Sequence, residues 1–249
     1  MNIIGIIPSR FGSTRFPGKP LIDIGGMSMV ERVYRQAMTS DVFDLVVVAT
    51  DDKRIFDAVT LFGGKAVMTD SSHPSGTDRC AEVMAGIGDG FDAVVNIQGD
   101  EPFIHPGQIR LLTEAIAEEG AQIATLVKRI GGEEELFNPN QPKVVVSATG
   151  EALYFSRQAI PYVKSAGPNS WSGSHVFFKH IGIYAYRTGV LAEITRLPQG
   201  KLELAESLEQ LRWLEHGYRI RVRETPFETV AIDTPDDLGK ALQFLRSQD

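Results

Sequence analysis

Residues 3–20, IIGIIPSRFGSTRFPGKP, join a short apolar run to a loop that carries three cations and two glycines. The run Ile3–Ile7 is β-branched and short, which predicts a buried strand. In open α/β sheets, the loop that follows the first parallel strand borders the ligand crevice. Glycines let backbone N–H groups approach phosphate oxygens, and cations neutralise the phosphate charge. We therefore expect a phosphate-binding loop with Arg10, Arg15 and Lys19 arranged around Gly12 and Gly18.

The first half of the chain alternates further apolar runs with amphipathic segments. Leu45–Ala49 and Ala93–Ile97 are predicted to be buried strands, and Ser28–Met38 and Arg54–Phe62 show the spacing of amphipathic helices. Strands separated by helices favour a parallel sheet with right-handed crossovers. The sequence thus predicts a Rossmann-like α/β fold, in which a mostly parallel sheet is flanked by helices.

The second half is predicted to continue with strands and helices of the same kind. A stripe of leucines predicts one continuous helix over Leu202–Glu215, and a last helix is expected after Thr234-Pro235. Gly131–Pro142 and Ser165–Ser174 are predicted to be loops. We expect a single domain with a smaller subdomain inserted in its second half. The predicted strands are Ile123–Val127, Val144–Ser147, Ile181–Tyr186 and Ile220–Val222.

Two familiar nucleotide-binding motifs are absent. Walker A requires four residues between its glycines and a Ser or Thr after its Lys. Here five residues separate Gly12 from Gly18, and Pro20 follows Lys19. No Gly-x-Gly-x-x-Gly follows any predicted strand, so the dinucleotide fingerprint is missing too. A kinase-like P-loop protein and a NAD-dependent dehydrogenase therefore both lose their main support.

Two aspartates follow predicted strands. Asp100 follows Ala93–Ile97, and Asp233 follows the apolar run Val230–Ile232. Mg²⁺ prefers hard oxygen ligands, usually one or two carboxylates together with phosphates and waters. Asp233 has an alternative interpretation as a helix cap. In a chain that also carries a cationic loop, the two aspartates predict a Mg²⁺ site.

The composition restricts the partners and the compartment. A net charge of -7 argues against a nucleic-acid or anionic-membrane partner, either of which needs a basic face. Cys80 is the only cysteine, so an internal disulfide is impossible and a reducing compartment fits. No uncharged apolar segment reaches the ~18–20 residues that a membrane span requires. We expect a cytoplasmic protein that binds neither nucleic acid nor membrane.

Motifs spread over the whole chain resemble the sugar-activating cytidylyltransferases, and more closely those that act on 3-deoxy-manno-octulosonate (Kdo). The basic loop alone is shared with the sialic-acid activators, whereas the stretches around His180 and Glu209 favour Kdo. One departure follows Arg157, where the family pattern has a small residue and then Pro. The matching stretches are Arg10–Lys19, Ala49–Asp52, His73–Arg79, Gln98–Pro102, His180–Arg187, Leu208–Arg212 and Asp233–Leu238.

The resemblance implies transfer of CMP from CTP to Kdo, which gives CMP-Kdo and pyrophosphate for lipopolysaccharide synthesis. The anomeric hydroxyl would attack the α-phosphorus in line while Arg10 and Lys19 stabilise the phosphate charge. Mg²⁺ on Asp100 and Asp233 would lower the pKa of the attacking hydroxyl. The resemblance also implies a homodimer. It adds these nucleotide-binding residues: Gly12, Ser13, Arg15, His73, Ser75, Gly76, Arg79, Gln98 and Asp100.

Kdo carries a carboxylate and many hydroxyls, so its site needs a cation and several hydrogen-bonding groups. The resemblance assigns this role to residues within about 140–225, and nucleotide binding to about 1–130. The alternative interpretation is a core residue for Tyr184 and a solvated residue for His180. For Glu209 and Gln210 it is a solvated helix face. A cytidylyltransferase for an amino-substituted Kdo or a nonulosonate, and a catalytically silent nucleotide-sugar binding protein, are the alternative functions. The assigned sugar-binding residues are Arg157, His180, Tyr184, Glu209 and Gln210.

Overall fold

A computed structural model of the chain describes residues 1–12, 16–228, 231–232 and 234–246. The chain forms two compact units. The first contains Met1–Thr113 and the chain from Phe227 onward, and the second is the continuous insertion Glu114–Pro226. Within the described residues, no helix is both long enough and apolar enough to cross a membrane.

The first unit is built on a parallel sheet of four strands. Its strands are β1 (Ile3–Ser9), β2 (Leu45–Thr50), β3 (Ala66–Met68) and β4 (Ala93–Asn96). In sheet order β3-β2-β1-β4, β1 lies between β2 and β4, and all three pairings are parallel. Branched apolar side chains fill both faces of β1, as expected for a strand covered on both sides. The predicted mostly parallel α/β fold is therefore confirmed.

The helices of this unit begin near the carboxyl ends of its strands. Ser28, Asp52 and Ser75 cap three of them, because each side chain accepts a hydrogen bond from a backbone N–H of the first turn. This arrangement directs helix N-termini toward the edge where the strands end. The helices are α1 (Met29–Thr39), α2 (Lys53–Leu61), α3 (Gly76–Ile87), a C-terminal helix, Pro235–Arg246, and α4 (Pro106–Ala117), whose residues from Glu114 onward belong to the second unit.

The second unit has a mainly antiparallel sheet. Its strands are β5 (Ile123–Arg129), β6 (Lys143–Val146), β7 (Ala152–Ser156), β8 (Phe178–Arg187) and β9 (Ile220–Glu224). β8 pairs antiparallel with β5 and β6, β6 pairs antiparallel with β7, and β5 pairs parallel with β9. Its helices are α5 (Glu133–Leu136), α6 (Trp171–Ser174), α7 (Thr188–Ile194), α8 (Lys201–Glu206) and α9 (Gln210–Glu215).

The predicted continuous helix over Leu202–Glu215 is wrong. Ser207 adopts left-handed backbone angles (φ 52, ψ 48) and divides the segment into α8 and α9. The leucine stripe misled because Leu204 is 63% exposed, whereas Glu203 is buried and paired with Arg212. The two predicted loops also contain short helices, namely α5 in the first, and α6 with the 3₁₀ turn Pro168–Ser170 in the second. The strand predicted before Asp233 is wrong for its described residues, since Ala231 and Ile232 belong to no strand. The remaining predicted strands and helices are confirmed, with ends shifted by three residues at most within the described part of the chain.

Candidate active site

A cavity of about 280 Å³ lies in the first unit, at the carboxyl ends of β1 and β4 and beside the N-terminus of α3. This is the edge of a parallel α/β sheet at which ligands bind. The lining residues are Pro8, Ser9, Arg10, Lys19, Pro20, His73, Pro74, Ser75, Gly76, Arg79, Gln98, Gly99 and Asp100.

The turn after β4 passes very close to the end of β1. A Cβ atom on Gly99 would lie 2.6 Å from the carbonyl oxygen of Pro8 and 2.9 Å from Ser9 Oγ. Only glycine fits at that distance, because real Cβ atoms do not approach other heavy atoms so closely. Arg10 directly follows Ser9, and Asp100 directly follows Gly99. This close approach therefore brings both charged residues to the same edge of the sheet.

The basic loop folds back to place Lys19 beside Asp100. Gly18 has a positive φ of 72°, and its N–H donates to the carbonyl of Phe11 at 2.9 Å. A short 3₁₀ turn, Lys19–Leu21, follows. Lys19 Nζ then reaches Asp100 Oδ2 at 2.8 Å, and the two side chains are 12% and 31% exposed. Lys19, a predicted phosphate ligand, and Asp100, a predicted metal ligand, therefore form an ion pair.

The other predicted residues of the loop differ in their placement. Arg10 is exposed at the cavity and makes no hydrogen bond or ion pair with any described residue, which leaves its guanidinium available to an anion. Gly12 does not line the cavity. Ser13 and Arg15 lie outside the described residues.

Helix α3 also contributes residues to the lining of the cavity. Arg79 is buried, donates from Nη1 to Thr69 Oγ1, and lies 3.6 Å from Asp51 Oδ2. One turn further along α3, Glu82 Oε2 lies 2.6 Å from His73 Nε2 and accepts the N–H of Asp70 at 2.8 Å. Two side chains of one helix thus tie down both parts of the loop that precedes it. The N-terminus of that helix, at Ser75 and Gly76, faces the cavity and favours anions.

Glu82 was missed in the sequence, and its charge is well stabilised. Burial raises the pKa of its carboxyl, but hydrogen bonds from the Asp70 N–H and from His73 outweigh burial, so the pKa lies below the usual range. Its spacing of three residues from Arg79 on a helix is the one signal that could have revealed it. His73 is therefore paired with Glu82 rather than simply solvated.

Several buried polar atoms around the cavity have no hydrogen-bond partner among the described residues. They are Ser9 Oγ, Asn96 Oδ1 and Asp51 Oδ1. Unsatisfied buried polar atoms are rare in native proteins, and these atoms can form hydrogen bonds with a polar ligand. Ser9 lines the cavity itself. The wall is therefore arranged for a polar ligand.

The fit of Mg²⁺ to this cavity depends on Asp100. Its Oδ2 accepts a hydrogen bond from Lys19, and Oδ1 has no hydrogen-bond partner among the described residues. The described part of the chain has no group of three or more His, Cys, Asp or Glu side chains that could hold a metal ion. One carboxylate that relies on substrate phosphates and waters suits Mg²⁺, which rarely has an all-protein cage. The second predicted ligand, Asp233, lies outside the described residues.

The predicted sugar-binding residues all belong to the second unit. Arg157 is half-buried, and its guanidinium donates to the carbonyl oxygens of Glu206, Ser207 and Pro139 at 2.6, 3.2 and 3.1 Å. Carbonyl groups orient the guanidinium without neutralising it. Since a guanidinium has five N–H groups, two remain for a carboxylate ligand.

His180 and Tyr184 lie side by side on β8, with ring centroids 5.2 Å apart. Burial lowers the pKa of His180 to about 3, so the imidazole is neutral at pH 7. Its Nε2 lies 2.9 Å from Thr125 Oγ1, and that hydroxyl donates to the carbonyl of Ile183 at 2.8 Å. This pattern favours the tautomer with the proton on Nε2, which leaves Nδ1 as an acceptor.

The hydroxyl of Tyr184 is buried and has no hydrogen-bond partner within the described ranges. Burial, and after it the negative charge of Glu209, raises the pKa of this hydroxyl well above its usual value. Tyr184 thus combines the core packing of the alternative interpretation with a donor for which the described part of the protein has no acceptor. Glu209 is the nearby charged group.

Glu209 and Gln210 occupy the start of α9. The Glu209 side chain is 27% exposed, and its Oε1 lies 3.9 Å from Arg212 Nη2. Gln210 is only 5% exposed, so the alternative interpretation as a solvated helix face is wrong for Gln210. The break at Ser207 restarts the helix, which shifts both residues relative to the stripe of a continuous helix.

Structural comparison identifies the class first. A 4-diphosphocytidyl-2C-methyl-D-erythritol synthase from Anaerococcus prevotii shares the fold, with a TM-score of 0.63 over 98% of each chain at 11% identity. A structure of CMP:2-keto-3-deoxy-manno-octonic acid synthetase complexed with CTP matches with a TM-score of 0.93 over 100% of both chains at 41% identity. The fold is that of a nucleotidyltransferase.

Sequence comparison is more specific. The family model for cytidylyltransferases matches residues 4–220. A 3-deoxy-manno-octulosonate cytidylyltransferase from Parabacteroides distasonis is 58% identical, with 100% of each chain covered. The protein of the same name from Cytophaga hutchinsonii is 56% identical over 96% of this chain and 95% of its own. The chain belongs to the cytidylyltransferase family, among the members that act on 3-deoxy-manno-octulosonate.

Proposed function

We propose that this protein transfers the CMP group of CTP to the anomeric hydroxyl of Kdo, releasing pyrophosphate and supplying CMP-Kdo for lipopolysaccharide synthesis. The observation that carries the proposal is the cavity of the first unit, where Arg10, the Lys19–Asp100 ion pair and the N-terminus of α3 meet. Its cations and N–H groups suit a triphosphate. The assignment of Kdo as the sugar rests on the names of relatives that match almost the whole chain.

The nucleotide residues divide into two groups in this proposal. Arg10 and Lys19 bind the triphosphate and stabilise the charge that develops as the bond between the α-phosphorus and pyrophosphate breaks. His73, Arg79 and Gln98, which also line the cavity, contact the cytosine and ribose side. Glu82 positions His73, because it holds the imidazole at 2.6 Å.

Asp100 and Asp233 would hold Mg²⁺. When bound, the ion supplies Lewis-acid stabilisation of phosphate charge and lowers the pKa of the attacking hydroxyl. The hard carboxylate of Asp100 at the rim of a cationic cavity supports this assignment. Lys19 keeps the phosphate-binding role, and Asp100 orients its Nζ at 2.8 Å in the free protein.

The sugar is proposed to bind in the second unit. Arg157 provides the cation for the Kdo carboxylate, because carbonyl groups hold its guanidinium in place and leave its charge. Neutral His180 and the Tyr184 hydroxyl provide an acceptor and a donor for sugar hydroxyls. Glu209 and Gln210 provide the remaining contacts. We further propose that the protein works as a homodimer in the cytoplasm, where CTP is made.

The direct test is a pyrophosphate-release assay with CTP, Mg²⁺ and Kdo. We expect rapid release with Kdo, at least 100-fold slower release with sialic acid, and none in excess chelator. An amino-substituted Kdo is the second comparison sugar, because a preference for it would select the alternative cytidylyltransferase function. Full activity in chelator would contradict the metal assignment. No release with any acidic sugar would favour a binding protein without catalysis.

Glu209→Ala tests the sugar assignment within this function. We expect kcat/KM for Kdo to fall at least tenfold while kcat/KM for CTP at saturating Kdo changes less than threefold. A hydrogen-bonding site loses most when one partner is removed. The side chain is 27% exposed, so the free energy of unfolding should change by no more than about 0.5 kcal/mol.

Glu215→Ala is the matched control for Glu209→Ala, since Glu215 is an exposed glutamate at the other end of α9. It should leave both specificity constants unchanged. Equal losses for Kdo and CTP in Glu209→Ala, or no loss for either, would remove Glu209 from the sugar site.

A further inference from the structure

Lys143, at the start of β6, is a fully buried lysine that the proposed function does not use. Its Nζ donates to the backbone carbonyl of Asn138 at 2.9 Å, and no carboxylate of the described residues lies within ion-pair distance. Buried charges in proteins are normally paired with an opposite charge, because an unpaired one is very costly. A neutral carbonyl is an incomplete partner for an ammonium group.

The strands beside β6 show which charged side chains lie on the same face of the sheet as Lys143. In the sheet register, Lys143 lies opposite Ser156 of β7 and opposite Lys179 of β8. Directly opposite residues point to the same face of a sheet. Lys179 is paired with Glu135, so its charge is compensated. The charge of Lys143 is the one that needs an explanation.

Glu206 is the nearby anion, and it is engaged elsewhere. Its carboxylate accepts the Ser156 hydroxyl at 2.6 Å and the backbone N–H of Arg157 at 2.9 Å. Burial lowers the pKa of Lys143; the charge of Glu206 acts in the opposite direction, and that of Arg157 lowers the pKa further. Among the described residues, the guanidinium of Arg157 donates only to carbonyl oxygens. The positive charges of Lys143 and Arg157 are therefore balanced only by the negative charge of Glu206.

Among Lys143, Arg157 and Glu206, positive charges thus exceed negative charges by one, and Arg157 is half-buried rather than fully buried. We infer that Lys143 is a positioning residue for the carboxylate of the acidic sugar substrate: its buried charge offsets Glu206, so Arg157 keeps its full positive charge for the substrate. This inference rests on the proposed function. In this inference Lys143 acts through Glu206 and Arg157 and makes no contact with the sugar.

Lys143→Met is the first test, because methionine preserves length and removes the charge. We expect the KM for Kdo to rise at least tenfold, with the KM for CTP and kcat within threefold of the native values. The melting temperature should stay within 2 °C or increase, because a buried charge without an opposite partner costs free energy that an apolar side chain avoids. An unchanged KM for Kdo would overturn the inference.

The double variant Lys143→Met/Glu206→Gln is the decisive test. It restores the excess of one positive charge, and the glutamine amide still hydrogen-bonds Ser156 and the Arg157 N–H. We expect its KM for Kdo to return to within threefold of the native value. A merely structural lysine predicts no such rescue. A folded double variant with a KM as high as that of the single variant would overturn the inference, whether or not the single variant folds.

Lys179→Met is the matched control, because it removes a buried lysine on the same face that has its own carboxylate. It should lower the melting temperature by leaving Glu135 unpaired, and it should change the KM values for Kdo and CTP equally. A selective rise for Kdo in this control would contradict the special role of Lys143. Native enzyme that fails to use Kdo would refute the proposed function itself, whereas native turnover with an unaltered Lys143→Met variant refutes only this inference.

Discussion

Asp100→Asn is expected to reduce kcat/KM at least about a thousand-fold, which corresponds to roughly 4 kcal/mol of transition-state stabilisation. The change removes the charge of the proposed Mg²⁺ ligand at the rim of the nucleotide cavity. Amide oxygens are poor ligands in comparison with carboxylates, so added Mg²⁺ should not restore the rate. Steady-state pyrophosphate release over a series of Mg²⁺ concentrations measures the effect.

The fold of this variant should be intact. Asparagine is nearly isosteric, and its amide oxygen can still accept the hydrogen bond from Lys19 that Asp100 Oδ2 accepts at 2.8 Å. The ion pair is partly exposed, so its loss costs about 0–1 kcal/mol of unfolding free energy. Asp57→Asn is the control, because Asp57 forms an exposed ion pair with Lys53 on α2. Near-native activity of Asp100→Asn at saturating Mg²⁺ would disprove the metal assignment.

Lys19→Ala is expected to lower kcat about 100-fold, or roughly 2.7 kcal/mol, while the KM for CTP changes less than threefold. Arg10 and the N-terminus of α3 still bind the ground-state triphosphate. Charge that develops toward pyrophosphate loses its partner, and an interaction made mainly in the transition state appears in kcat. Separate titrations of CTP and Kdo distinguish the two parameters.

Lys53→Ala controls for the loss of an ion pair with aspartate. Lys53 is 80% exposed and pairs with Asp57 away from the cavity, so both kinetic parameters should stay native. A Lys19→Ala variant that raised only the KM for CTP, with an unchanged kcat, would reduce Lys19 to a binding residue. Recovery of kcat at high Mg²⁺ would instead indicate that Lys19 acts through the metal.

Much of the nucleotide site could be predicted because it depends on the ends of strands. A short β-branched run such as Ile3–Ile7 predicts a buried parallel strand, and the residues after it must lie at the carboxyl edge of the sheet. The same rule applies to the strand before Asp100. Once the strands are parallel, Arg10, Lys19 and Asp100 converge without knowledge of any contact, and the structure brings all three to one cavity.

The partners of these residues could not be predicted. Lys19 and Asp100 are 81 positions apart in the chain, yet their side chains meet at 2.8 Å. Periodicity reports which face of one element is buried, but carries no information about which distant side chain faces it. Glu82, which holds His73 from α3, was missed for this reason.

The second unit shows the same limit more strongly. A leucine stripe is compatible with one long helix or with two short ones, and the buried pair of Glu203 with Arg212 accompanies the two-helix form. Lys143 looks like an ordinary surface lysine in the sequence, although it is fully buried.

The sequence by itself determined the α/β class, the order of the main elements and the edge at which the nucleotide cavity forms, because these follow from local patterns of burial and from the chirality of parallel crossovers. Only the tertiary structure decided which charges are paired, which helix is broken and which lysine is buried. Those features depend on the free energy of desolvating each charge against contacts distant in the chain, and that balance exists only once the elements have packed.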